Sequence, residues 1–261
     1  MGRDAKASVV VARAAPLVTV AAALAAWEAL GHGSLASTLP PFSKVARWMV
    51  GAAGTAPFWS GIGHTMLQWL IGLLLGCAVG IGLGLLTGFS ERLRLLLDVV
   101  VEFLRPIPAV VYLPLLILFY GNTDTLAVLN VAVGVVWILL FQTYYGVRDL
   151  DPLVVDTGRV FGLSRRQRLS RIVLPSVAPY VATGLRIACS TAFLVAVSVE
   201  LIGGSPGLGL DIGNAQSNGL YEPMYGYVFV TGLLAVAVNV LLVRLERAVL
   251  GHRSATLARL R

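Results

Sequence analysis

The sequence predicts an all-α polytopic membrane protein with six transmembrane helices, and three observations carry that prediction. Of 261 residues, 57% are hydrophobic and only 13% charged, with a mean hydropathy of +0.83, which is more apolar side chain than one soluble core buries beneath a polar surface. Several apolar windows reach the roughly 20 residues that a helix, rising about 1.5 Å per residue, needs to cross about 30 Å of hydrocarbon. These windows do not alternate apolar and polar residues, so they are not the strands of a membrane barrel.

The windows lie near residues 15–31, 65–88, 99–120, 125–147, 178–202 and 224–247. Basic residues near span ends resist translocation and collect on the cytoplasmic side. With the N-terminus inside, only Lys44 and Arg47 fall outside, and Arg105 and Arg186 lie within snorkelling reach of cytoplasmic helix ends. Both termini are therefore expected in the cytoplasm of a cell with this chain in its inner (plasma) membrane. The net charge of +7 reflects this topology and gives no reason to invoke nucleic acid, although it also suits anionic lipid or an acidic protein partner. Arg3, Lys6 and Arg13 before the first window resemble a signal peptide. The apolar stretch Pro16 to Leu30 is longer than a usual signal core and no small-x-small site follows, so it is expected to stay as a span.

The second window carries Gly72, Gly76, Gly80, Gly84 and Gly88, each four residues apart. Such a small-residue stripe lets helix backbones approach closely in lipid, so this face is expected to pack on another span of the chain or of a second copy. The third window, LRPIPAVVYLPLLILFYG, holds Pro106, Pro108 and Pro114. Each removes a backbone donor, so the segment is expected to kink or unwind near its cytoplasmic end. Irregular backbone at membrane depth is tolerated where it is buried in protein or lines a watery cavity; Pro106 and Pro108 are thus candidates for lining a pathway, against a static kink that only shapes the bundle.

Glu28, Glu102 and Glu200 fall in or near spans and must face protein or water. Glu102 has Arg105 one turn on. Glu200 precedes GGSPGLG and is expected to line a polar cavity or brace the outer loop, against the alternative of a titrating relay. Cys77 and Cys189 fall inside spans, and His32, His64 and His252 are scattered, so no disulfide, metal site or cofactor is expected.

Between the fourth and fifth windows runs DPLVVDTGRVFGLSRRQRLSRIVLP, residues 151–175. Asp151 then Pro152 reads as a helix start, and Gly162 as its stop. Val154, Gly158 and Phe161 fall on one side of that helix, as a docking face would. Ser164 and Gln167 have capping-box spacing for a second helix bearing Arg165, Arg168 and Arg171, which Pro175 ends. A basic surface near lipid phosphates is the plainer alternative.

The spacing Asp156-Thr157-Gly158, three residues, Gly162, nine residues, Ile172-Val173-Leu174-Pro175 resembles the EAA loop of ATP-binding cassette importer permeases. Gly, Ile, Leu and Pro match in register, whereas Asp, Thr and Gly replace the opening Glu, Ala and Ala. LRPIPAVVYLPLLILFYG, GLSRRQRLSRIVLP and SVELIGGSPGLGLDIGNAQ are similar in order and spacing to the nitrate, sulfonate and taurine branch, over about residues 60–250. The resemblance implies the type I importer permease fold with a cytoplasmic coupling-helix loop, in which Asp156, Gly158, Arg159, Phe161 and Gly162 contact a cytoplasmic ATPase subunit. It also implies a homodimeric pore, two ATPase copies, an extracytoplasmic substrate-binding protein, and a small solute such as a sulfonate, taurine, nitrate or vitamin precursor.

The chain divides on this reading into residues 1–60 (tail, first span and outer loop), 61–250 (permease core) and 251–261 (C-terminal tail). It is not expected to be the ATPase: a P-loop needs a lysine after its glycines, and the only lysines are Lys6 and Lys44. Gly203-Gly204-Ser205-Pro206-Gly207 fits the G-x-S-x-G elbow, yet it follows a membrane helix instead of a strand and reads as a glycine-rich turn with no catalytic residue. An ion-driven transporter should carry paired broken helices, and only one proline-broken window occurs. An intramembrane enzyme should carry a convergent titratable set, which is lacking.

Overall fold

The computed structural model describes residues 2–33, 37–104 and 106–258. Every regular element among them is helical: α1 (Gly2–His32), α2 (Phe42–Ala52), α3 (Ala56–Phe89), α4 (Glu91–Leu104), a 3-10 turn (Ala109–Tyr112), α5 (Leu113–Tyr120), α6 (Asp124–Arg148), α7 (Pro152–Val160), α8 (Arg165–Arg168), a π-helical turn (Leu169–Val173), α9 (Leu174–Gly203), α10 (Leu208–Ser217) and α11 (Tyr221–Ala258).

Six full-length spans are not found among the described residues. Four stretches are long and apolar enough to cross a membrane: Ala56–Phe89, Asp124–Arg148, Arg165–Ser217 and Tyr221–Arg244. Of the other two expected spans, the first lies within α1, whose described apolar stretch is Val18–His32, and the third keeps the shorter apolar helix Ala109–Tyr120. The third window breaks for the reason expected of it. α4 stops at Leu104, Pro108 adopts extended backbone at ψ 137°, and helix resumes as a 3-10 turn before Pro114 seeds α5 at a position that needs no N–H. The Glu102–Arg105 contact lies outside the described residues.

By contacts the chain forms two units, Met1–Trp59 with Asp211–Val230, and Ser60–Leu210 with Thr231–Arg261. In the first, Glu28 of α1 accepts hydrogen bonds from Ser43 N (2.9 Å) and Ser43 Oγ (2.8 Å), capping α2. Trp27 sits between Phe42 and Tyr225 at centroid distances of 5.4 and 5.8 Å. Gly226 leaves room for the Trp48 ring, which a Cβ would meet at 2.2 Å.

The second unit is organised around α6. The glycine stripe of α3 packs on it within the same chain. A Cβ on Gly72 would meet Val131 at 2.6 Å, on Gly76 Val135 at 2.5 Å, on Gly80 Leu139 at 3.0 Å, on Gly84 Thr143 at 2.6 Å and on Gly88 Val147 at 2.6 Å. Both partners advance by four residues per step, so the helices run parallel in one fixed register, with a groove residue on α3 for every ridge residue on α6. α9 packs antiparallel on α6, where Gly146 admits Tyr180 and Gly184 admits Leu139 and Gln142. The buried core joins Leu126, Ala127, Val131, Val135 and Leu139 of α6 to Ala188, Ala192, Val195, Ala196 and Val199 of α9.

Candidate functional site

Three places in the second unit carry polar or exposed chemistry. The first is the loop 151–175. Asp151 Oδ1 accepts from Leu153 N at 2.8 Å and Pro152 occupies the first turn of α7. Gly162 takes φ +71°, while Leu163 N closes back to Gly158 O at 3.0 Å, so the chain turns through a left-handed residue after the helix. Ser164 and Gln167 make the reciprocal capping box, with Ser164 N to Gln167 Oε1 at 2.9 Å and Gln167 N to Ser164 Oγ at 3.3 Å. Pro175 does not end this second helix as expected. α8 passes through the π turn into α9 without a break, so Pro175 lies inside a continuous helix, just after the π turn, where the widened hydrogen-bond ring already departs from the regular α pattern.

The faces of α7 also differ from the expected stripe. Gly158 is buried, and a Cβ there would meet Ile172 Cδ1 at 2.6 Å. It therefore belongs to the contact between α7 and the π turn, not to an outward face. Phe161 (79%) and the half-exposed Val154 of that stripe do face outward, and Leu153 (71%) and Val160 (86%) join them. Asp156 and Arg159 are exposed and paired at 2.7 Å. Leu153 and Val160 were missed by sequence reasoning, although their i, i+7 spacing was a legible signal.

The second place is a cavity of about 560 Å³ between the broken segment, α6 and α9. Ile107, Pro108, Ala109 and Val110 line one wall, Gly134, Trp137, Ile138, Phe141, Gln142 and Tyr145 another, and Thr191, Leu194, Val195 and Ser198 the third. None of these side chains is charged. Pro108 is among them; Pro106 is exposed and is not.

The third place is the far end of α9. Glu200 is fully buried and does not line that cavity. Its Oε2 accepts from Thr65 Oγ1 at 3.0 Å and Gly209 N at 2.8 Å, and Thr65 Oγ1 accepts from Leu208 N at 3.0 Å. Gly207, at φ +149°, is held so near that a Cβ would meet the carboxyl carbon at 2.2 Å. Gln68 Nε2 donates to Pro206 O and Asp124 Oδ1, both at 2.6 Å, and His64 Nδ1 lies 2.9 Å from the same Asp124 oxygen. Glu200 thus braces the glycine-rich turn, one of the two roles its position suggested. Among the described residues no group of His, Cys, Asp and Glu could hold a metal ion, and Cys77 and Cys189 are free thiols.

A bundle of apolar helices around an uncharged cavity, one of them broken by proline and another ending in a capped surface loop, defines a membrane permease. The chain belongs to the family of binding-protein-dependent transport system inner membrane components, which it matches over residues 80–251. It is similar to the putative aliphatic sulfonates transport permease of Bacillus subtilis (29% identical, 70% of this chain, 67% of the relative). It is likewise similar to the nitrate import permease of Leptolyngbya laminosa (28%, covering 70% and 66%) and the taurine transport permease of Escherichia coli (28%, covering 90% and 86%). Among solved structures, a chain of the MetNI methionine ABC transporter in an inward-facing conformation shares the fold at a TM-score of 0.65 and 17% identity, over 74% of this chain and 96% of that one.

Proposed function

We propose that this permease, as a homodimer, forms the solute pathway of an ATP-driven importer and is moved by two cytoplasmic ATPase subunits bound at its 151–175 loops. The observation that carries the reading is the exposed apolar surface Leu153, Val160 and Phe161 on a helix capped at both ends, flanked by the Asp156–Arg159 pair. A short, pre-formed amphipathic helix of this kind suits a groove on a soluble partner. On this reading Phe161, Asp156 and Arg159 touch the ATPase, while Gly158 and Gly162 fix the angle between α7 and α9.

The pathway runs along the cavity at Pro108, with Pro106 at its edge and Glu200 shaping the far end from behind. Residues 61–250 form the permease core, preceded by the 1–60 segment and followed by a short cytoplasmic tail. Basic-residue placement supports cytoplasmic termini in the inner membrane, with lipid around the apolar faces. An extracytoplasmic binding protein would deliver the solute, of the class named for the relatives: a sulfonate, taurine or nitrate, or else a vitamin precursor.

The test is co-purification of the chain with its ATPase subunit, with and without Phe161→Asp and Gly162→Leu. Phe161→Asp should release the ATPase, and Gly162→Leu should keep the complex but separate hydrolysis from uptake. Uptake that continues in cells lacking the ATPase would sink the reading.

A further inference from the structure

Asn130 of α6 is fully buried, and neither its Nδ2 nor its Oδ1 has a hydrogen-bond partner. An orphaned amide in a protein interior is unfavourable and calls for an explanation. Its register supplies one. At about 100° per residue, Asn130 falls on the strip of α6 between Trp137 and Phe141, the strip that lines the cavity. It stands one turn beyond Gly134, about 6 Å further toward Asp124 at about 1.5 Å per residue. The lining face of α6 therefore continues past the end of the cavity. What changes there is access, because the apolar core that includes Leu113, Leu126 and Val199 lies toward this end.

We propose that Asn130 is a solute-contacting residue of the pathway, sealed beyond the closed end of the cavity in this conformation and uncovered when that end opens. The proposal rests on the pathway reading above. A pathway of alternating access must expose each end in turn, so a polar group on the lining face that is sealed in one state becomes reachable by solute in the other. The chemistry fits an oxyanion-bearing solute. The amide offers two N–H donors to oxyanion oxygens and no fixed charge, which permits contact without retention.

The test uses the complex of this chain with its ATPase subunit, in a background without native cysteines (Cys77→Ala, Cys189→Ala). Asn130→Cys is expected to resist a membrane-impermeant methanethiosulfonate in the nucleotide-free complex. It should react about tenfold faster or more when the complex is trapped with ATP and vanadate, and ethanesulfonate should slow that reaction. Gln142→Cys, which lines the cavity, should react in the nucleotide-free state. If both cysteines stay inert in both states, the pathway reading fails. If only Asn130→Cys stays inert, or ethanesulfonate gives no protection, the Asn130 proposal alone is overturned. Asn130→Leu supplies an independent check, since removing an orphaned amide should raise the thermal midpoint while uptake falls. A lowered midpoint would mean that the amide has a structural partner, and would also overturn the proposal.

Discussion

Replacing Thr65 by valine changes a hydroxyl to a methyl at nearly constant volume, at a side chain with no exposed surface. Thr65 Oγ1 has two links beyond its own helix: it accepts from Leu208 N at 3.0 Å and donates to Glu200 Oε2 at 3.0 Å. Without the hydroxyl, Leu208 N–H is left buried and unpaired at a cost of about 1–3 kcal/mol, and the carboxyl group loses a bond worth about 1.5–3 kcal/mol if ionised. Gly209 N still holds Glu200, so the sum is discounted to about 2–5 kcal/mol. The assay is thermal unfolding of the purified permease in one detergent, comparing wild type, Thr65→Val and Thr65→Ser. The valine variant should melt well below wild type, and serine, which keeps the oxygen, should recover most of the loss. Equal midpoints for valine and wild type would refute the bracing role. A serine variant as unstable as valine would show that the methyl group matters at this position as well as the hydroxyl.

Three further outcomes follow from the same geometry. Gly76→Ala places a methyl 2.5 Å from Val135 Cβ and should destabilise α3 against α6 by about 1–3 kcal/mol as an overpacked contact; adding Val135→Ala should restore part of the thermal midpoint, and failure of that rescue would count against the register. Asp151→Ala removes the bond to Leu153 N and should cost about 1 kcal/mol of local stability, read as faster hydrogen exchange in α7 with little change in α6. Gly162→Ala forces a Cβ into φ +71° with open space around it, so strain alone, about 1–2 kcal/mol, should loosen the turn; exchange protection at Leu163 N reports it, and unchanged protection there would rule the strain out.

How much of this was legible in the sequence depended on whether the signal was local. The caps at Asp151, Gly162 and Ser164 were readable because capping is a matter of three or four adjacent residues, and all three formed as expected. The glycine stripe was equally clear as a packing face, but periodicity on one helix could not name α6 as its partner. Gly158 turned inward from the expected docking stripe, while Val154 and Phe161 stayed exposed, for a related reason. Which side of a nine-residue helix faces outward is settled by what it leans on, and the contact between Gly158 and Ile172 spans fourteen residues of chain and a π turn that no propensity signals. Asn130 gave no signal as one amide in an apolar run; its significance comes only from the missing partners.

The loop and the far turn are joined by one element. α9 runs unbroken from Leu174 to Gly203, about 45 Å at about 1.5 Å per residue. Just before its first residue, Ile172 presses on Gly158 of α7; three residues before its last, Glu200 holds Gly209 and Thr65. A helix of this length packed along α6 by small residues moves more readily as a body than by bending. A displacement of α7 that shifts Ile172 must then be carried to Glu200 or absorbed in the π turn, whose wider hydrogen-bond ring makes Leu169–Val173 the weakest link in the rod. Push on the loop and hold on the far turn are in this way set against each other along a single helix. The buried bonds of Thr65 and Gly209 therefore set the resistance that any force applied at the loop has to overcome before the far turn can move.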